Sequence, residues 1–275
     1  MNNRELKKHA LEIRKGIITA VYYGKSGHPG GSLSSADLLT YLFFEELKIN
    51  PLNPQNDNRD RFVLSKGHSA PGLYSAMAEK GYFNRSELRT FRTLGSRLQG
   101  HPSMRYLPGI DMSTGSLGQG VSVAVGMALA AKIKHKDYRV YTLLGDGECE
   151  EGQVWEAAMF SGAKHLDNLV IIIDNNNLQI DGTLEEVNSP YPIDDKFKSF
   201  NFNVLTVDGH DFCELRKAFL NAKNTKGKPT AIIMKTTKGK GISFMENVVG
   251  WHGKAPNDEQ YKSALHELEK LEELL

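Results

Sequence analysis

Short apolar strands alternate with helical segments through the second half of the chain, and this rhythm limits the possible folds more than any other feature. Strands are predicted for four apolar runs: Arg139–Leu144, Asn168–Asp174, Val204–Val207 and Thr230–Lys235. Helices are predicted for two periodic segments: Gly152–His165 and Phe212–Ala222. Because strand, helix and strand recur in this order, we expect an α/β fold with a parallel sheet covered by helices on both faces.

The first half of the chain is mostly helical by the same criteria. Periodic apolar residues predict helices at Arg4–Tyr23, Ser34–Leu47, Ser69–Lys80 and Leu117–Lys132, with a last helix at Asp258–Leu275. One short strand is predicted at Phe62–Leu64. Residues 95–120 carry Gly, Pro, Ser and His without periodicity, and a loop of this length is usually functional. Since no linker or repeat divides the chain, we expect residues 1–275 to form a single domain.

Charge and composition exclude several classes of partner. The 275-residue chain has 34 Lys and Arg against 33 Asp and Glu, so its net charge of +1 gives no overall attraction to nucleic acid or to an anionic membrane. No apolar run approaches the roughly 18 residues of a membrane span. The two cysteines, Cys149 and Cys213, cannot build a disulfide framework or a four-thiolate zinc site. We expect a soluble, cytoplasmic protein.

Polar residues follow two of the predicted strands at the point where each strand ends. Gly145-Asp146-Gly147 follows the strand Arg139–Leu144, and Asp174-Asn175-Asn176-Asn177 ends the next strand. Open parallel sheets bind ligands at the carboxyl ends of their strands, so these segments are expected to meet at one edge. One carboxylate and one carboxamide, together with a backbone carbonyl, suit octahedral Mg²⁺ that is shared with the phosphates of a ligand.

The nine histidines divide into a loop group and a helix group. Five of them stand next to a glycine in predicted loops, where an imidazole is accessible to a ligand: His28, His68, His101, His210 and His252. The other four lie on predicted helices or helix ends and are interpreted as surface or packing residues: His9, His135, His165 and His266. Zinc binding by the loop histidines is the structural alternative, although no pair of them has the close spacing of the usual zinc motifs.

The Gly-Asp-Gly segment with a downstream Asn resembles the motif with which thiamine-diphosphate enzymes hold a metal diphosphate, and within that superfamily the sequence resembles transketolase. The matching segments run through almost the whole chain: Ser26-Gly27-His28-Pro29-Gly30, Asp60-Arg61-Phe62-Val63-Leu64-Ser65-Lys66-Gly67-His68, Gly100-His101-Pro102, Pro108-Gly109-Ile110, Thr114-Gly115-Ser116-Leu117-Gly118-Gln119-Gly120, Gly145-Asp146-Gly147-Glu148, Ile180-Asp181-Gly182, Lys235-Thr236-Thr237-Lys238-Gly239-Lys240-Gly241 and Trp251-His252-Gly253. So many matches in one order are not expected by chance. The resemblance implies a thiamine-diphosphate-binding fold of the diphosphate-binding type.

The resemblance to transketolase also implies a role for each matching residue. Asp146 and Asn176 would hold a divalent metal through their side chains and Leu178 through its carbonyl; the metal is expected to be Mg²⁺, with Ca²⁺ or Mn²⁺ as substitutes. Thiamine diphosphate would contact the following residues: His68, Gly115, Ser116, Leu117, Asp146, Gly147, Asn176, Lys238 and His252. Three histidines would face the reacting carbons of the sugar: His28, His101 and His252.

Half of the active site is expected to lie outside this chain, again by resemblance. In this superfamily the carboxylate that activates the cofactor belongs to a pyrimidine-binding domain, and no second sheet can be built from the residues after Trp251. We therefore expect the N-terminal subunit of a split transketolase, in an α₂β₂ assembly with a C-terminal subunit that carries the pyrimidine-binding domain. The methionine start and the capped last helix favour a natural subunit over a fragment.

The implied reaction moves a two-carbon ketol unit from a ketose phosphate such as xylulose 5-phosphate to an aldose phosphate, as in the pentose phosphate pathway. Three alternatives stay open: the α subunit of a 2-oxo acid dehydrogenase; a 1-deoxyxylulose-phosphate synthase relative or a transketolase specialised for an unusual sugar; and a non-catalytic module that binds a metal diphosphate. The Gly-His-Pro motifs and Trp251-His252-Gly253 argue against the dehydrogenase. The loop histidines argue against the non-catalytic module.

Overall fold

Five parallel strands form the central sheet in the computed structural model, which describes residues 1–275. The strands are β1 Arg61–Leu64, β2 Val140–Gly145, β3 Leu169–Asn175, β4 Asn203–Asp208 and β5 Thr230–Lys235. Their order across the sheet is β1-β2-β3-β5-β4. All four neighbouring pairs are parallel, so the carboxyl ends of the five strands lie along the same edge.

Successive residues of the central strands face opposite sides of the sheet, and each side has its own apolar core. In β3, Val170 and Ile172 belong to one core, whereas Leu169, Ile171 and Ile173 belong to the other. All five side chains are fully buried. A parallel sheet with both faces covered leaves no strand surface for water, which is why β3 is a continuous apolar run and not an alternating one.

Ten α-helices surround the sheet: α1 Asn3–Tyr23, α2 Pro29–Ser34, α3 Ala36–Tyr41, α4 Ala70–Lys80, α5 Gln119–Ile133, α6 Gly152–Ala163, α7 Leu184–Val187, α8 Ile193–Ser199, α9 Phe212–Asn224 and α10 Asp258–Glu273. Helices α1, α3, α4, α9 and α10 contribute to the core on one face, and α5, α6 and α8 to the core on the other. The predicted α/β fold, a parallel sheet covered on both faces, is confirmed. No helix combines the length and the apolarity that crossing a membrane requires.

The single helix predicted over Ser34–Leu47 is wrong, because the structure divides this segment. Helix α2 ends at Ser34, Ser35 departs from helical geometry (φ −95°, ψ 4°), α3 follows, and a π-helical turn occupies Leu42–Glu46. The hydroxyl of Ser35 donates to the carbonyl of Gly31 at 2.8 Å, and such a bond competes with the regular helical pattern. The periodicity also does not predict the short helices α7 and α8. The single-domain organisation of residues 1–275 stays a prediction.

Gly162, near the end of α6, leaves room for a main-chain contact that any side chain would prevent. A Cβ atom at this position would overlap the carbonyl oxygen of Phe200, which directly follows α8. We expect Gly162→Ala to lower the free energy of unfolding by about 1–3 kcal/mol, because either α6 or the end of α8 must move. Chemical denaturation of the purified chain measures the change.

Gly126→Ala is the matched control for this prediction. Gly126 lies inside α5, and nothing lies within 4 Å of a Cβ atom built there. This substitution is expected to be neutral or to stabilise the chain by up to about 1 kcal/mol through helix propensity. Equal losses of stability from the two substitutions would show that the contact with Phe200 is not the cause.

Candidate active site

A cavity of about 400 Å³ lies at the carboxyl edge of the sheet, where the segments that follow β1, β2, β3 and β5 meet. Its walls contain nearly all of the predicted site residues: His28, His68, His101, Gly115, Leu117, Asp146, Gly147, Asn176, Leu178, Lys238 and His252. Ser116 is the exception, because it is exposed and is not part of the wall. The wall also contains Lys66, Glu148 and Asp174, for which the sequence predicts no role.

Asp146 occupies the turn directly after β2 and is 2% exposed. Its carboxylate accepts the N–H groups of Gly147 and Asn177 at 2.9 and 2.5 Å, and the side-chain amide of Asn175 at 3.2 Å. It forms no ion pair with Lys, Arg or His. Burial, followed by the negative charge of Asp174, raises the pKa of Asp146 to about 6. A cation would stabilise a buried carboxylate in this environment.

Asn176 and Leu178 bring two further oxygen atoms to the same wall. Oδ1 of Asn176 accepts the N–H of Leu178 at 3.2 Å, and the carbonyl of Leu178 accepts from Nζ of Lys238 at 2.8 Å. Carboxylate, carboxamide and carbonyl oxygens are the ligands that Mg²⁺ prefers, so the residues present fit a divalent cation. No group of three or more His, Cys, Asp or Glu side chains is arranged to hold a metal ion, which argues against the zinc alternative.

A buried ion pair forms the floor of the cavity. Lys66 follows β1 and donates to Oδ2 of Asp174 at 2.5 Å and to the carbonyl of Gly31 at 2.8 Å. Asp174, in β3, is fully buried and also accepts the hydroxyl groups of Ser34 and Thr236 at 2.6 and 2.5 Å. Burial alone would raise the pKa of Asp174, but the charge of Lys66 and these hydrogen bonds outweigh burial and lower it. Asp174 is therefore a structural anion and not a free acid or base.

Glu148 is a second buried carboxylate, and it joins three segments of the site. One oxygen accepts the hydroxyl of Ser65 at 2.5 Å and the N–H of Gly118 at 2.9 Å; the other accepts the N–H of Gly145 at 3.1 Å. Burial raises the pKa of Glu148. Its position directly after Gly-Asp-Gly is the signal that could have identified it, because buried N–H groups in a tight turn need acceptors.

Three imidazole rings form a cluster in the cavity. The ring centroids of His28, His68 and His252 lie 5.1 to 5.4 Å from one another. Burial, reinforced by neighbouring positive charges, lowers the pKa of His28 to about 4 and that of His252 to about 3. The pKa of His68 is lowered for the same reasons. At neutral pH the three rings are uncharged, so each can donate one hydrogen bond and accept another.

Lys238 and His101 complete the wall. Lys238 is 2% exposed, and its Nζ lies 2.9 Å from Nδ1 of His252. Burial lowers the pKa of Lys238 to about 8. His101 is exposed, and its carbonyl accepts the hydroxyl of Tyr74 at 3.0 Å. The backbone of Gly115 passes so near that a Cβ atom there would lie 3.2 Å from the His101 ring, which explains the glycine at this position.

His210 is the loop histidine that the structure places outside the cavity. Its Nδ1 donates to Asp37 at 2.7 Å, and its Nε2 accepts the N–H of Thr237 at 2.9 Å. Arg14 holds the same Asp37 through two hydrogen bonds of 2.7 and 3.0 Å. The interpretation of His210 as an imidazole accessible to a ligand is therefore wrong: both ring nitrogens are engaged in holding the segment after β5.

Comparison with known proteins identifies similar chains along the whole length. A family model described as the thiamine diphosphate binding domain of transketolase matches residues 6–269. A 6-deoxy-6-sulfo-D-fructose transketolase subunit of Clostridium sp. (strain MSTE9) is 47% identical over 266 residues, which cover 97% of each chain. An apulose-4-phosphate transketolase subunit of Phocaeicola vulgatus is 45% identical over 275 residues, which cover 100% of this chain and 98% of that one.

The crystal structure of transketolase from Campylobacter jejuni has a similar fold over one part of its length. It superposes with a TM-score of 0.92 at 37% identity, covering 98% of this chain but 43% of the Campylobacter chain. The chain thus matches two proteins named as subunits over nearly their full length, and less than half of this longer transketolase.

Breaking the Lys66–Asp174 pair is expected to destabilise the chain more than removing both charges. Lys66→Met leaves Asp174 buried without its cation, and we expect the free energy of unfolding to fall by about 3–5 kcal/mol. Combining Lys66→Met with Asp174→Asn removes both charges and should recover part of this loss. Urea denaturation of the parent chain, the single variant and the double variant at pH 7 measures both effects. A double variant less stable than Lys66→Met would refute the pairing argument.

Proposed function

The chain belongs to the transketolase family, and on that premise we propose that it is the subunit of a two-subunit transketolase that holds the diphosphate end of thiamine diphosphate. The observation that carries this proposal is the convergence, in one cavity, of an oxygen donor set for a cation with a cluster of uncharged histidines. Thiamine diphosphate, when bound, supplies the electron sink for a carbanion. The residues of this chain would bind and orient it.

The proposed cation ligands are Asp146, Asn176 and the carbonyl of Leu178. Mg²⁺ is the first choice, and Ca²⁺ or Mn²⁺ would use the same oxygens. A bound cation would lower the raised pKa of Asp146, because a nearby positive charge favours the ionised carboxylate. The remaining proposed contacts with the cofactor are His68, Gly115, Ser116, Leu117, Gly147, Lys238 and His252.

His28, His101 and His252 are proposed to face the reacting carbons of the sugar. A neutral imidazole donates a hydrogen bond to a carbonyl or hydroxyl oxygen and accepts a proton from a hydroxyl group. Nδ1 of His28 is buried and has no hydrogen-bond partner within the protein, so it is free to engage a ligand. Each general acid or base of this kind contributes roughly 10²–10⁴-fold to a rate.

The acidic residues of the cavity support a partner subunit, because none of them is free. Asp146 would bind the cation, Glu148 accepts two backbone N–H groups, and Asp174 is paired with Lys66. The resemblance to transketolase requires one more carboxylate, to activate the aminopyrimidine ring. We propose that a C-terminal subunit with the pyrimidine-binding domain supplies it, in an α₂β₂ assembly. The two relatives named as subunits support the presence of a partner chain.

The substrates are proposed by class. The reaction is the transfer of a two-carbon ketol unit from a ketose phosphate to an aldose phosphate, with xylulose 5-phosphate as the first donor to test. The relatives named for 6-deoxy-6-sulfo-D-fructose and apulose 4-phosphate make a ketose with a terminal sulfonate, or another ketose phosphate, the second candidate. The cytoplasmic location and a place in the pentose phosphate pathway stay predictions.

Asp146→Asn is expected to weaken cofactor binding while preserving the fold. The amide keeps the size of the carboxylate but loses the charge that the cation needs, so affinity for thiamine diphosphate with Mg²⁺ should fall by at least about 10–100-fold. Isothermal titration calorimetry in Mg²⁺ and in EDTA measures this. Asp194→Asn, on the exposed side of α8, is the matched control and should bind like the parent chain. Undiminished binding by a folded Asp146→Asn chain would disprove the metal assignment.

Ketol transfer is expected only when the chain is combined with its C-terminal subunit. The assay uses ribose 5-phosphate as acceptor with thiamine diphosphate and Mg²⁺, and compares three donors: xylulose 5-phosphate, apulose 4-phosphate and 6-deoxy-6-sulfofructose. Activity in the mixture identifies the donor. Turnover by the pure chain would refute the shared site, and silence with all three donors would exclude these ketoses and direct the search to other sugars.

A further inference from the structure

Arg92 is a charged residue beside the cavity that has no part in the chemistry described so far. It follows the 3₁₀ turn Arg85–Thr90, and its φ of +59° lies in the left-handed region, which is uncommon for a residue with a long side chain. Its N–H donates to the carbonyl of Leu98 at 3.0 Å, so the chain turns sharply before it reaches His101. An unfavourable backbone conformation that is retained beside a site points to a role for the residue.

The guanidinium group of Arg92 connects the loops that carry His28 and His101. Nη1 donates to Oγ of Ser26 at 2.5 Å, and Nη2 donates to the carbonyl of Gly100 at 3.5 Å. Ser26 lies two residues before His28; Gly100 directly precedes His101. The close approach requires a glycine, because a Cβ atom at Gly100 would lie 2.7 Å from Nε of Arg92. The side chain therefore ties two histidine loops together.

The positive charge of Arg92 has no carboxylate partner. The side chain is half-buried, yet it takes part in no ion pair, and its Nε is buried without a hydrogen-bond partner. Arginine side chains that are removed from water are usually paired with a carboxylate. Since no negative charge compensates this one, its field acts on the groups around it.

The charge of Arg92 lowers the pKa values of both His28 and His101. Burial is the largest cause that lowers the pKa of His28, and the charge of Arg92 is the next. The pKa of His101 is lowered by the same two causes in the same order. The other titratable groups around His28 are His68, His252 and Lys238, and Tyr74 donates to the carbonyl of His101. None of these groups carries a negative charge at neutral pH.

We propose that Arg92 is a positioning residue for the reaction: it keeps the imidazoles of His28 and His101 uncharged and holds their loops at a fixed separation. An uncharged ring both donates to an oxygen and accepts a proton, whereas a charged ring only donates. The inference rests on the proposed function, because the neutrality of these rings matters to catalysis only if they face the sugar.

The sign of the effect follows from the charge. A positive neighbour disfavours the protonated imidazole, so removing it with Arg92→Gln must raise the pKa of His28 and His101, although burial still opposes protonation. Arg92→Lys keeps the charge and loses the two-armed contact. Ser26→Ala removes one hydrogen bond of the guanidinium and keeps the charge.

The first test is an NMR titration of the imidazole C–H signals in the full chain, without cofactor or partner. We expect the midpoints of His28 and His101 to shift upward in Arg92→Gln and to stay at the parent values in Arg92→Lys and Ser26→Ala. His266, exposed on α10, is the internal reference and should not shift in any variant. Thermal unfolding confirms that each variant is folded. Unchanged midpoints in a folded Arg92→Gln chain would overturn the proposal.

The second test is the pH profile of kcat/KM in the assembled enzyme. In Arg92→Gln the acidic limb of the pH profile should move to higher pH. At pH values below the midpoint of this limb, kcat/KM should fall about tenfold per pH unit. A raised KM for the phosphorylated donor with unmoved titrations would instead make Arg92 an anion contact and overturn the proposal. Because the titration needs no turnover, it separates failure of this inference from failure of the proposed function.

Discussion

The ion pair between Lys66 and Asp174 is the interaction on which the rest of the site depends. Through their other hydrogen bonds, the same two side chains hold the carbonyl of Gly31 and the hydroxyl of Thr236. Four segments that line the cavity are thus fixed to one pair of charges, although they lie far apart in the sequence. Such a buried pair adds little net stability compared with an apolar pair, because both charges lose their hydration. Its contribution is to hold these segments in position around the cavity.

The strand ends could be predicted from the sequence because their signals are local. An apolar run followed by Gly-Asp-Gly or by consecutive Asn residues ends at the sheet edge, and parallel pairing then places Gly145 beside Asp174. The partner of Lys66 could not be predicted, since 108 residues separate it from Asp174 and their contact requires β1 and β3 to flank β2. The only local hint was a carboxylate at the end of a fully buried strand.

The wrong predictions have the same origin in contacts that are invisible to periodicity. Apolar spacing joins Ser34–Leu47 into one helix, but the helix is interrupted at Ser35, whose hydroxyl donates back to the carbonyl of Gly31. The glycine beside His210 predicts an accessible imidazole, yet this imidazole is held by Asp37, 173 residues away. Patterns along the chain locate elements and turns; they do not say which polar groups satisfy one another across the fold.

On the proposed function, the charges of the cavity account for the need for a second chain. Burial, together with the charges of Lys66 and Lys238, lowers the pKa values of His68 and His252 and keeps these rings neutral. Asp146 and Glu148 both lack an ion-pair partner, but Glu148 already accepts the hydroxyl of Ser65 and two backbone N–H groups. None of these carboxylates is therefore free to protonate and deprotonate a bound ring. Ile180, which lines the cavity and is 66% exposed, marks the side that stays open to solvent. On the proposed function, the missing acid enters from that side.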